Sequence, residues 1–426
     1  MKLTLIATAC LWTGGLGVVA AQTLEVTPQV VMSDESAVIR AKGLQPNERI
    51  MIRAELEDGA GHRWASQAEF TADPQGAVDV SKQAPVAGSY KGVSAMGLIW
   101  LMMPLEKKVA RYQAPKDLGP QTVEFRLMRK GEQISAARLE QVTIGEGVQR
   151  IPVRDEALRG VLFLPGGKER KPGVLVVGGS NGGVPTRQAA WLASHGFAAL
   201  ALAYFRYEDL PAKLEGIPLE YFGRALIWMA QRPEIVGDRL GVLGTSRGGE
   251  LALQLASMFP QIGAVAAYVP ANLRYPACCG GDTRVPYAWT WRGSPLPYLP
   301  LRFARDPQMM MEAAIEVEKT KGPVLLISGE DDGIWRSSAM ADAVIARLKR
   351  AHFPYHFEHL KYPHAGHSAG KPGVAPAWHG RVRHPVSGRE MVLGGSAEGD
   401  AQSSIDAMPK VIEFLRQSSS SRPPKQ

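Results

Sequence analysis

The sequence predicts two folded domains: an all-β sandwich, followed by an α/β domain in which helices cover both faces of a mostly parallel sheet. Short strands of alternating polarity, separated by turn residues, predict the first domain over residues 22–147. Continuous apolar strands that alternate with helices predict the second domain over residues 148–416. A chain of 426 residues is long enough for both, because domains commonly contain about 100–200 residues.

The composition is that of a globular protein. Hydrophobic residues make up 45% of the chain and charged residues 21%, so there is enough apolar surface to bury, which excludes a disordered or fibrous protein. The formal net charge of +8 is spread along the chain without a block of lysine and arginine. We therefore expect no nucleic-acid partner.

The first 21 residues have the pattern of a secretory signal peptide. Lys2 precedes an uncharged stretch over residues 3–18, and small residues at 19–21 supply a cleavage site. We expect the mature chain to be exported to the periplasm or secreted. No later segment has the ~20 apolar residues that a spanning helix requires, so we expect no membrane span in the mature chain.

In residues 22–147, apolar and polar side chains alternate over short runs. Strands are predicted over 37–40, 49–54 and 123–127. Turn-forming residues separate these runs, as at 43–47 and 73–76. No serine, histidine and carboxylate occur at motif spacing in this half, so its expected role is that of a scaffold or a lid.

After residue 151, apolar runs alternate with amphipathic segments. Strands are predicted over 174–177, 197–202, 240–243, 265–269 and 324–328. Helices are predicted over 187–195, 219–231 and 250–258. Residues 417–426 are rich in serine and proline and are predicted to form a flexible tail.

The pattern G-x-S-x-G occurs twice, around Ser180 and around Ser246. Small flanking residues allow the sharp strand-to-helix turn that lifts a nucleophilic serine clear of its sheet. Ser180 is followed by Gly183 and Pro185, which do not continue directly into a helix. Ser246 leads from a predicted strand straight into a predicted helix, so it is the predicted nucleophile.

The glycine-rich loop over residues 178–183 follows an earlier strand, where hydrolytic enzymes of this architecture place one donor for the oxyanion. Gly179, Ser180 or a neighbour would supply that donor, and the backbone N–H of Arg247 would supply the other. The alternative is that the loop is a plain turn. The side chain of Arg247 either meets an anionic substrate or is exposed at the start of a helix.

A serine nucleophile requires a base and an orienting carboxylate. Asp332 follows the predicted strand at 324–328 and is preferred over its neighbour Asp331. His367 follows a glycine in a loop and is preferred over His364. The order serine, aspartate, histidine is that of the α/β-hydrolase fold. This chemistry requires no metal or redox cofactor.

Two further features leave alternatives open. The insertion at 270–311 is rich in proline and aromatic residues, which line an acyl pocket or pack as a lid. The only cysteines of the mature chain, Cys278 and Cys279, are adjacent. Adjacent cysteines do not bridge without a strained backbone, so we expect two free thiols.

Many stretches resemble the acyl-CoA thioesterase and bile acid-CoA:amino acid N-acyltransferase family, across nearly the whole mature chain. They are residues 53–58, 64–73, 88–93, 96–100, 200–205, 219–222, 244–249, 332–337 and 365–367. The resemblance implies an immunoglobulin-like sandwich joined to an α/β-hydrolase domain, with Ser246, Asp332 and His367 as the catalytic triad. One departure is the small, polar stretch at 368–373, where the family carries a hydrophobic, proline-paired segment.

In that family, a cysteine at the nucleophile position accompanies acyl transfer to an amino acid, and a serine accompanies hydrolysis. Ser246 therefore implies a serine hydrolase that acts on a small-molecule acyl thioester or ester. The nearest alternatives are a carboxylesterase, a dienelactone-type hydrolase or a peptidase on the same fold. The alternative from another class is a non-catalytic secreted binding protein.

Overall fold

A computed structural model of the protein describes residues 21–279, 286–300, 302 and 305–420. The predicted signal peptide lies outside the described residues, apart from Ala21. Within these ranges, no helix combines the length and the apolar character that crossing a membrane requires.

The amino-terminal domain is built from two β-sheets in which most strand pairings are antiparallel. Its strands are β1 (Thr23–Thr27), β2 (Val30–Met32), β3 (Val38–Lys42), β4 (Arg49–Glu57), β5 (Arg63–Thr71), β6 (Val78–Asp79), β7 (Ala87–Gly88), β8 (Met103–Pro104), β9 (Gln121–Arg129) and β10 (Glu132–Val142). Strands β1, β3 and β6 form the smaller sheet, and the order in the larger sheet is β2-β10-β9-β4-β5-β7, with β8 also pairing with β5. A short helix, α1 (Gly97–Trp100), interrupts the strands.

The alternation of apolar and polar side chains that predicted these strands corresponds to an alternation of buried and outward-facing positions. Along β4, every second side chain is buried and the intervening ones face outward. Ile52, Phe70 and Phe125 are fully buried in the domain core. Each large apolar side chain of this kind stabilises the fold by roughly 1.5–3 kcal/mol.

The carboxy-terminal domain is built on an eight-stranded sheet. Its strands are β11 (Gln149–Val153), β12 (Arg159–Leu164), β13 (Lys171–Val177), β14 (Ala198–Ala203), β16 (Ile235–Thr245), β17 (Ile262–Tyr268), β20 (Val324–Gly329) and β21 (Phe357–Tyr362). Their order is β11-β12-β14-β13-β16-β17-β20-β21. The first two pairings are antiparallel, and all pairings from β14 to β21 are parallel. This order is that of an α/β-hydrolase.

Helices and short connecting elements complete this domain. The helices are α2 (Thr186–Ser194), α3 (Glu220–Ala230), α4 (Arg247–Met258), α5 (Pro307–Ala313), α6 (Ser337–Arg350) and α7 (Ala397–Ser420). Short strands are β15 (Ile217–Pro218), β18 (Trp289–Trp291), β19 (Ser294–Pro295), β22 (Val382–Arg383) and β23 (Glu390–Met391). Single 3₁₀ turns lie at Lys116–Leu118, Asp155–Ala157 and Val317–Lys319.

The last helix is longer than the composition indicated. Helix α7 continues to Ser420, whereas a flexible tail was predicted from residue 417. Its carboxy-terminal half packs on the sheet through Val411 and Phe414, and the Ser418 hydroxyl donates a hydrogen bond to the Phe414 carbonyl. This packing outweighs the poor helix propensity of the serine run. Residues 421–426 lie outside the described residues.

Parallel strands bring their carboxyl ends to one edge of the sheet. At this edge, β13 leads into the loop at 178–183 and β16 leads into Ser246. Strand β20 ends before Asp332, and β21 ends before His367. The residues selected from the sequence therefore share one edge of the sheet.

Candidate active site

Ser246 sits on a sharp turn between β16 and α4. Its backbone angles, φ 60° and ψ −120°, lie outside the regions that non-glycine residues favour. A Cβ atom added at Gly244 would clash with the Gly248 carbonyl, and one added at Gly248 would clash with the Gly178 carbonyl. The two glycines of the motif are therefore required for strand, turn and helix to pack this closely.

The structure brings Ser246, His367 and Asp332 together. The Nε2 atom of His367 lies 2.9 Å from the Ser246 Oγ atom. The Nδ1 atom of His367 lies 2.8 Å and 3.0 Å from the two carboxylate oxygens of Asp332. A carboxylate only accepts hydrogen bonds, so it favours the tautomer with the proton on Nδ1 and leaves Nε2 to accept the serine proton.

Asp332 is held in place by groups that follow it in the chain. Its side chain is only 1% exposed. One oxygen accepts the backbone N–H of Ile334 at 2.9 Å, and the other accepts the Ser337 hydroxyl at 2.6 Å. These hydrogen bonds stabilise the charged carboxylate and fix its orientation toward His367.

The loop that carries His367 is held by the first turn of α7. The buried carboxylate of Asp400 accepts the Gly366 N–H at 2.8 Å. The His367 N–H donates to the Leu393 carbonyl at 2.8 Å. A Cβ atom added at Gly366 would clash with the carbonyl of Gly394, which explains the glycine before the histidine. Sequence reasoning missed Asp400, because an acid in the first turn of a helix is an ordinary feature.

The loop at 178–183 lies against the nucleophile. A Cβ atom added at Gly179 would lie 3.3 Å from the Ser246 Cβ atom and 2.9 Å from the Thr245 carbonyl oxygen. The backbone N–H of Arg247 belongs to the first turn of α4, where amides have no acceptor within the helix. Gly179 and Arg247 thus flank Ser246, where oxyanion donors are expected.

Ser180 bonds to a histidine that the sequence analysis did not select. Its Oγ atom lies 3.0 Å from the Nε2 atom of His384, which is 3% exposed. The Nδ1 atom of His384 accepts the backbone N–H groups of Val386 and Ser387, so Nε2 carries the proton and donates it to Ser180. Burial, with the charge of Arg206, lowers the pKa of His384 and favours this neutral ring. The Ser180 oxygen accepts this hydrogen bond, so the Ser180 hydroxyl hydrogen can be donated to a different acceptor.

Both alternatives for the Arg247 side chain are wrong. The residue is 6% exposed, and its guanidinium donates to the carbonyls of Tyr275 and Pro276 at 3.2 Å and 3.0 Å. It also lies 3.2 Å from the fully buried carboxylate of Glu250. Burial raises the pKa of Glu250, and the charge of Arg247 opposes that rise. Arg247 fastens the insertion to α4 and does not face a substrate.

The described aromatic residues of the insertion are packed. Trp289 is fully buried, and its Nε1 atom donates to Glu250 at 2.8 Å. The centroid of the Tyr275 ring lies 5.6 Å from that of Trp335, and the centroid of the Trp335 ring lies 5.9 Å from that of His367. At Tyr275 the insertion therefore packs near His367 through Trp335.

The expectation of two free thiols differs from the structure. The sulfur atoms of Cys278 and Cys279 are in bonding contact and form a disulfide. Their Cα atoms are 3.1 Å apart across a cis peptide, so the pairing occurs with an unusual backbone, which the expectation had weighed against it.

The less favoured acid and base lie outside the site. Asp331 and His364 form a pair with one another at 3.6 Å, and their side chains are 56% and 81% exposed. Asp332 and His367, and not these neighbours, form the hydrogen-bonded series that leads to Ser246.

A second serine–histidine–aspartate arrangement shows that distances alone do not define a catalytic site. The Ser328 Oγ atom lies 2.7 Å from the His359 Nε2 atom, and His359 Nδ1 lies 3.0 Å from Asp342. Ser328 is fully buried within regular strand β20, so no substrate carbonyl reaches it. Ser246 differs because it projects from a turn at the edge of the sheet.

The sheet order and the strand–serine–helix turn define an α/β-hydrolase. Two protein-family models match the chain. The model described as "Acyl-CoA thioester hydrolase/BAAT N-terminal region" matches residues 34–155. The model described as "BAAT / Acyl-CoA thioester hydrolase C terminal" matches residues 217–275 and 301–421. The chain therefore belongs to the acyl-CoA thioester hydrolase and bile acid-CoA:amino acid N-acyltransferase family, which confirms the resemblance seen in the sequence.

Individual relatives match over nearly their whole length. Acyl-coenzyme A thioesterase 6 from Mus musculus is 31% identical over 402 residues, covering 90% of this chain and 93% of its own. Bile acid-CoA:amino acid N-acyltransferase from Homo sapiens is 33% identical over 410 residues, covering 92% and 97%. Among solved structures, a puromycin-hydrolyzing peptidase from Mycobacterium tuberculosis is 13% identical, with a TM-score of 0.44, and covers 90% of this chain and 55% of its own.

Proposed function

We propose that this protein is a serine hydrolase that cleaves an acyl thioester, or the corresponding oxygen ester, through a covalent acyl-enzyme. The observation that carries the proposal is the continuous hydrogen-bonded series from Ser246 through His367 to Asp332, with 2.9 Å and 2.8 Å separations. Membership of a family whose relatives include acyl-coenzyme A thioesterases supports the choice of a thioester.

Acylation uses His367 first as a base and then as an acid. As the Ser246 oxygen bonds to the carbonyl carbon of the substrate, the serine proton passes to Nε2 of His367. The π electrons of the carbonyl group move onto the carbonyl oxygen. Asp332 stabilises the resulting imidazolium. The N–H of Arg247 and a donor from Gly179 or Ser180 stabilise the oxyanion. When the intermediate collapses, the bond to sulfur breaks and His367 returns the proton to the leaving thiol.

Deacylation repeats these steps with water. Water gives one proton to His367 while its oxygen attacks the acyl-enzyme carbonyl. Collapse of the second intermediate releases the carboxylic acid and returns the proton to the Ser246 oxygen. One water is consumed for each thioester, which yields one acid and one thiol.

A panel of substrates with one common acyl group tests the proposal. The mature chain is assayed with an acyl thioester, a p-nitrophenyl ester and a peptide amide, with Ser246→Ala as the matched control. We expect turnover of the thioester, and a fall in kcat of at least about 10⁴-fold in the variant. Ester turnover without thioester turnover favours a carboxylesterase. Absence of turnover with every substrate overturns the proposal in favour of a binding protein.

The signal-peptide pattern supports action outside the cytosol, in the periplasm or beyond. The test is to express the full chain in a bacterial host and to sequence the amino terminus of the purified protein from each fraction. A periplasmic or secreted chain that starts at Gln22 is expected. An uncleaved cytosolic chain contradicts export.

A further inference from the structure

Ser180 lies in the loop that borders the nucleophile. A Cβ atom added at Gly179, the residue before it, would lie 3.8 Å from the Ser246 Oγ atom, and consecutive Cα atoms are about 3.8 Å apart. The Gly182 N–H donates to the Gly179 carbonyl at 3.2 Å, so Ser180 occupies a tight turn directly after β13. Ser180 is therefore one residue removed from the contact with the nucleophile.

The hydroxyl hydrogen of Ser180 has no acceptor in the described part of the protein. The Ser180 oxygen accepts the Nε2–H of His384 at 3.0 Å, and no other hydrogen-bond partner of this hydroxyl lies among the described residues. A serine hydroxyl carries one hydrogen besides its two acceptor lone pairs. This hydrogen is therefore available to an acceptor that arrives with the substrate.

The pair of Ser180 and His384 is polarised in the opposite direction to the serine and histidine of the triad. The Nδ1 atom of His384 accepts the N–H groups of Val386 and Ser387 at 3.2 Å and 3.1 Å, so the proton of the neutral ring is on Nε2. A nitrogen that already carries a proton cannot take one from Ser180. Ser180 is thus suited to donate a hydrogen bond and not to act as a second nucleophile.

The hairpin of β22 and β23 places His384 at the site. The two strands pair antiparallel, and the His384 N–H donates to the Arg389 carbonyl at 2.8 Å. Just after the hairpin, the Leu393 carbonyl accepts the Gly333 N–H at 2.9 Å and the His367 N–H at 2.8 Å. One segment of the chain therefore holds the loop of the acid, the loop of the base and, through His384, the loop beside the nucleophile.

We propose that the Ser180 hydroxyl is an oxyanion donor in addition to the backbone N–H groups, and that His384 is the residue that positions it. By donating to the Ser180 oxygen, His384 restricts the rotation of the hydroxyl, so that its hydrogen points away from His384 and toward the carbonyl oxygen of the substrate. A donor that is oriented before charge develops requires no reorganisation during the reaction. This inference rests on the proposed hydrolase function and goes beyond it by adding a side-chain donor and its positioning residue.

A double-mutant cycle of Ser180→Ala and His384→Asn tests this inference. His384→Asn removes the donor to Ser180, while its side-chain oxygen, at the place of Nδ1, can still accept the Val386 and Ser387 N–H groups. Ser387→Ala is the matched control, because it removes from the same hairpin a hydroxyl that accepts the Arg389 N–H at 3.3 Å.

Each variant is assayed with an ester or thioester that the wild type hydrolyses, and kcat is expressed per active site titrated with a fluorophosphonate. Inhibition by a trifluoromethyl ketone with the same acyl chain is measured in parallel. The ketone carbon bonds to the Ser246 oxygen, the serine proton passes to His367, and the ketone oxygen becomes an oxyanion. The affinity for this inhibitor therefore reports on the oxyanion donors without release of a leaving group.

We expect Ser180→Ala to lower kcat about 10²-fold, the effect of losing one oxyanion donor, with KM changed less than about threefold. His384→Asn should lower kcat about 10-fold, because the hydroxyl is present but no longer oriented. In the Ser180→Ala background it should have no further effect, because the hydroxyl that it positions is absent. Affinity for the ketone should fall by the same factors as kcat/KM. Ser387→Ala should change neither quantity.

Two results overturn this inference while leaving the hydrolase intact. The first is a kcat per titrated site for Ser180→Ala that lies within about threefold of the wild-type value. The second is an equal loss from His384→Asn in the wild-type and Ser180→Ala backgrounds, which would show that His384 does not act through the Ser180 hydroxyl. A wild type that hydrolyses no ester or thioester and leaves Ser246 unlabelled is instead the failure of the proposed function.

Discussion

Asp332 and Asp331 are adjacent, yet only one of them is part of the site. Asp332 is buried and receives hydrogen bonds from His367, Ile334 and Ser337. Asp331 is 56% exposed and faces His364. The difference is one of exposure, because the Asp332 side chain is 1% exposed and that of Asp331 faces solvent. The pair therefore offers a matched test at a single position.

We predict that Asp332→Asn lowers kcat by about 10³- to 10⁴-fold, because an amide no longer selects the productive tautomer of His367 or stabilises its positive charge. Asp331→Asn should change kcat less than about twofold, as expected for an exposed residue. Steady-state kinetics of both variants, with circular dichroism to verify folding, provide the measurement. Equal losses in the two variants would contradict the assignment of the acid.

At the scale of secondary structure, helix α7 positions the loop that carries His367. Asp400, Ser403 and Ser396 in and before its first turns bond to the backbone of residues 364–370. The strand that leads to this loop, β21, lies at the edge of the sheet. The helix thus restrains a loop that has a sheet neighbour on one side only.

We predict that Asp400→Ala lowers kcat about 10-fold or more, because the Gly366 N–H loses its acceptor and the imidazole shifts relative to Ser246. Asp400→Asn should recover most of the activity, since its side-chain oxygen still accepts that hydrogen bond. The measurement is kcat per titrated active site together with the melting temperature. A fall in melting temperature with unchanged kcat per site would show a purely structural role.

Strongly apolar elements and local motifs were predictable, and contacts between distant segments were not. The buried strands β13, β14, β17 and β20 and the helices α2 to α4 lie where the periodicity placed them. Strand β21 was missed because, at the edge of the sheet, it carries exposed charged residues instead of an apolar run.

The residues that surround the triad were missed for a different reason. Ser180 and His384 are 204 residues apart in sequence, and Gly366 and Asp400 are 34 apart. No local pattern marks such pairs, because each residue alone is compatible with an ordinary turn or helix end. The triad could be selected because each of its members also has a local signal: a glycine-flanked turn, a strand end or a Gly-His step.

At the scale of the whole molecule, the two domains are joined by partly buried polar contacts. Asp34 of the sandwich domain lies 2.6 Å from the His195 Nε2 atom and accepts the Trp191 Nε1–H at 2.7 Å. Arg187 crosses the same boundary to Thr143 and Pro115. A cavity of about 530 Å³ lies along this boundary and is lined by residues of both domains.

We predict that Asp34→Asn lowers the free energy of unfolding by about 1–3 kcal/mol near neutral pH. Burial alone would raise the pKa of Asp34, but hydrogen bonds from His195 and Trp191 and the charge of His195 lower it overall. A lowered carboxyl pKa contributes stability above the unfolded value of about 3.9, and this contribution is lost as the pH falls through the folded pKa.

The stability difference between wild type and Asp34→Asn should therefore shrink as the pH falls below about 4, where the carboxylate becomes protonated. Denaturant unfolding at several pH values measures it. A difference that grows as the pH falls below about 4 would contradict the role given to this carboxylate.

The central claim, that Ser246 is activated by His367 and Asp332, is tested most directly by reaction with a fluorophosphonate, followed by peptide mass spectrometry. We predict one phosphonyl group per chain, located on Ser246, with labelling strongly slowed in His367→Ala and absent in Ser246→Ala. Labelling at Ser180 or at another residue, or an unlabelled Ser246 in folded protein, would contradict the account.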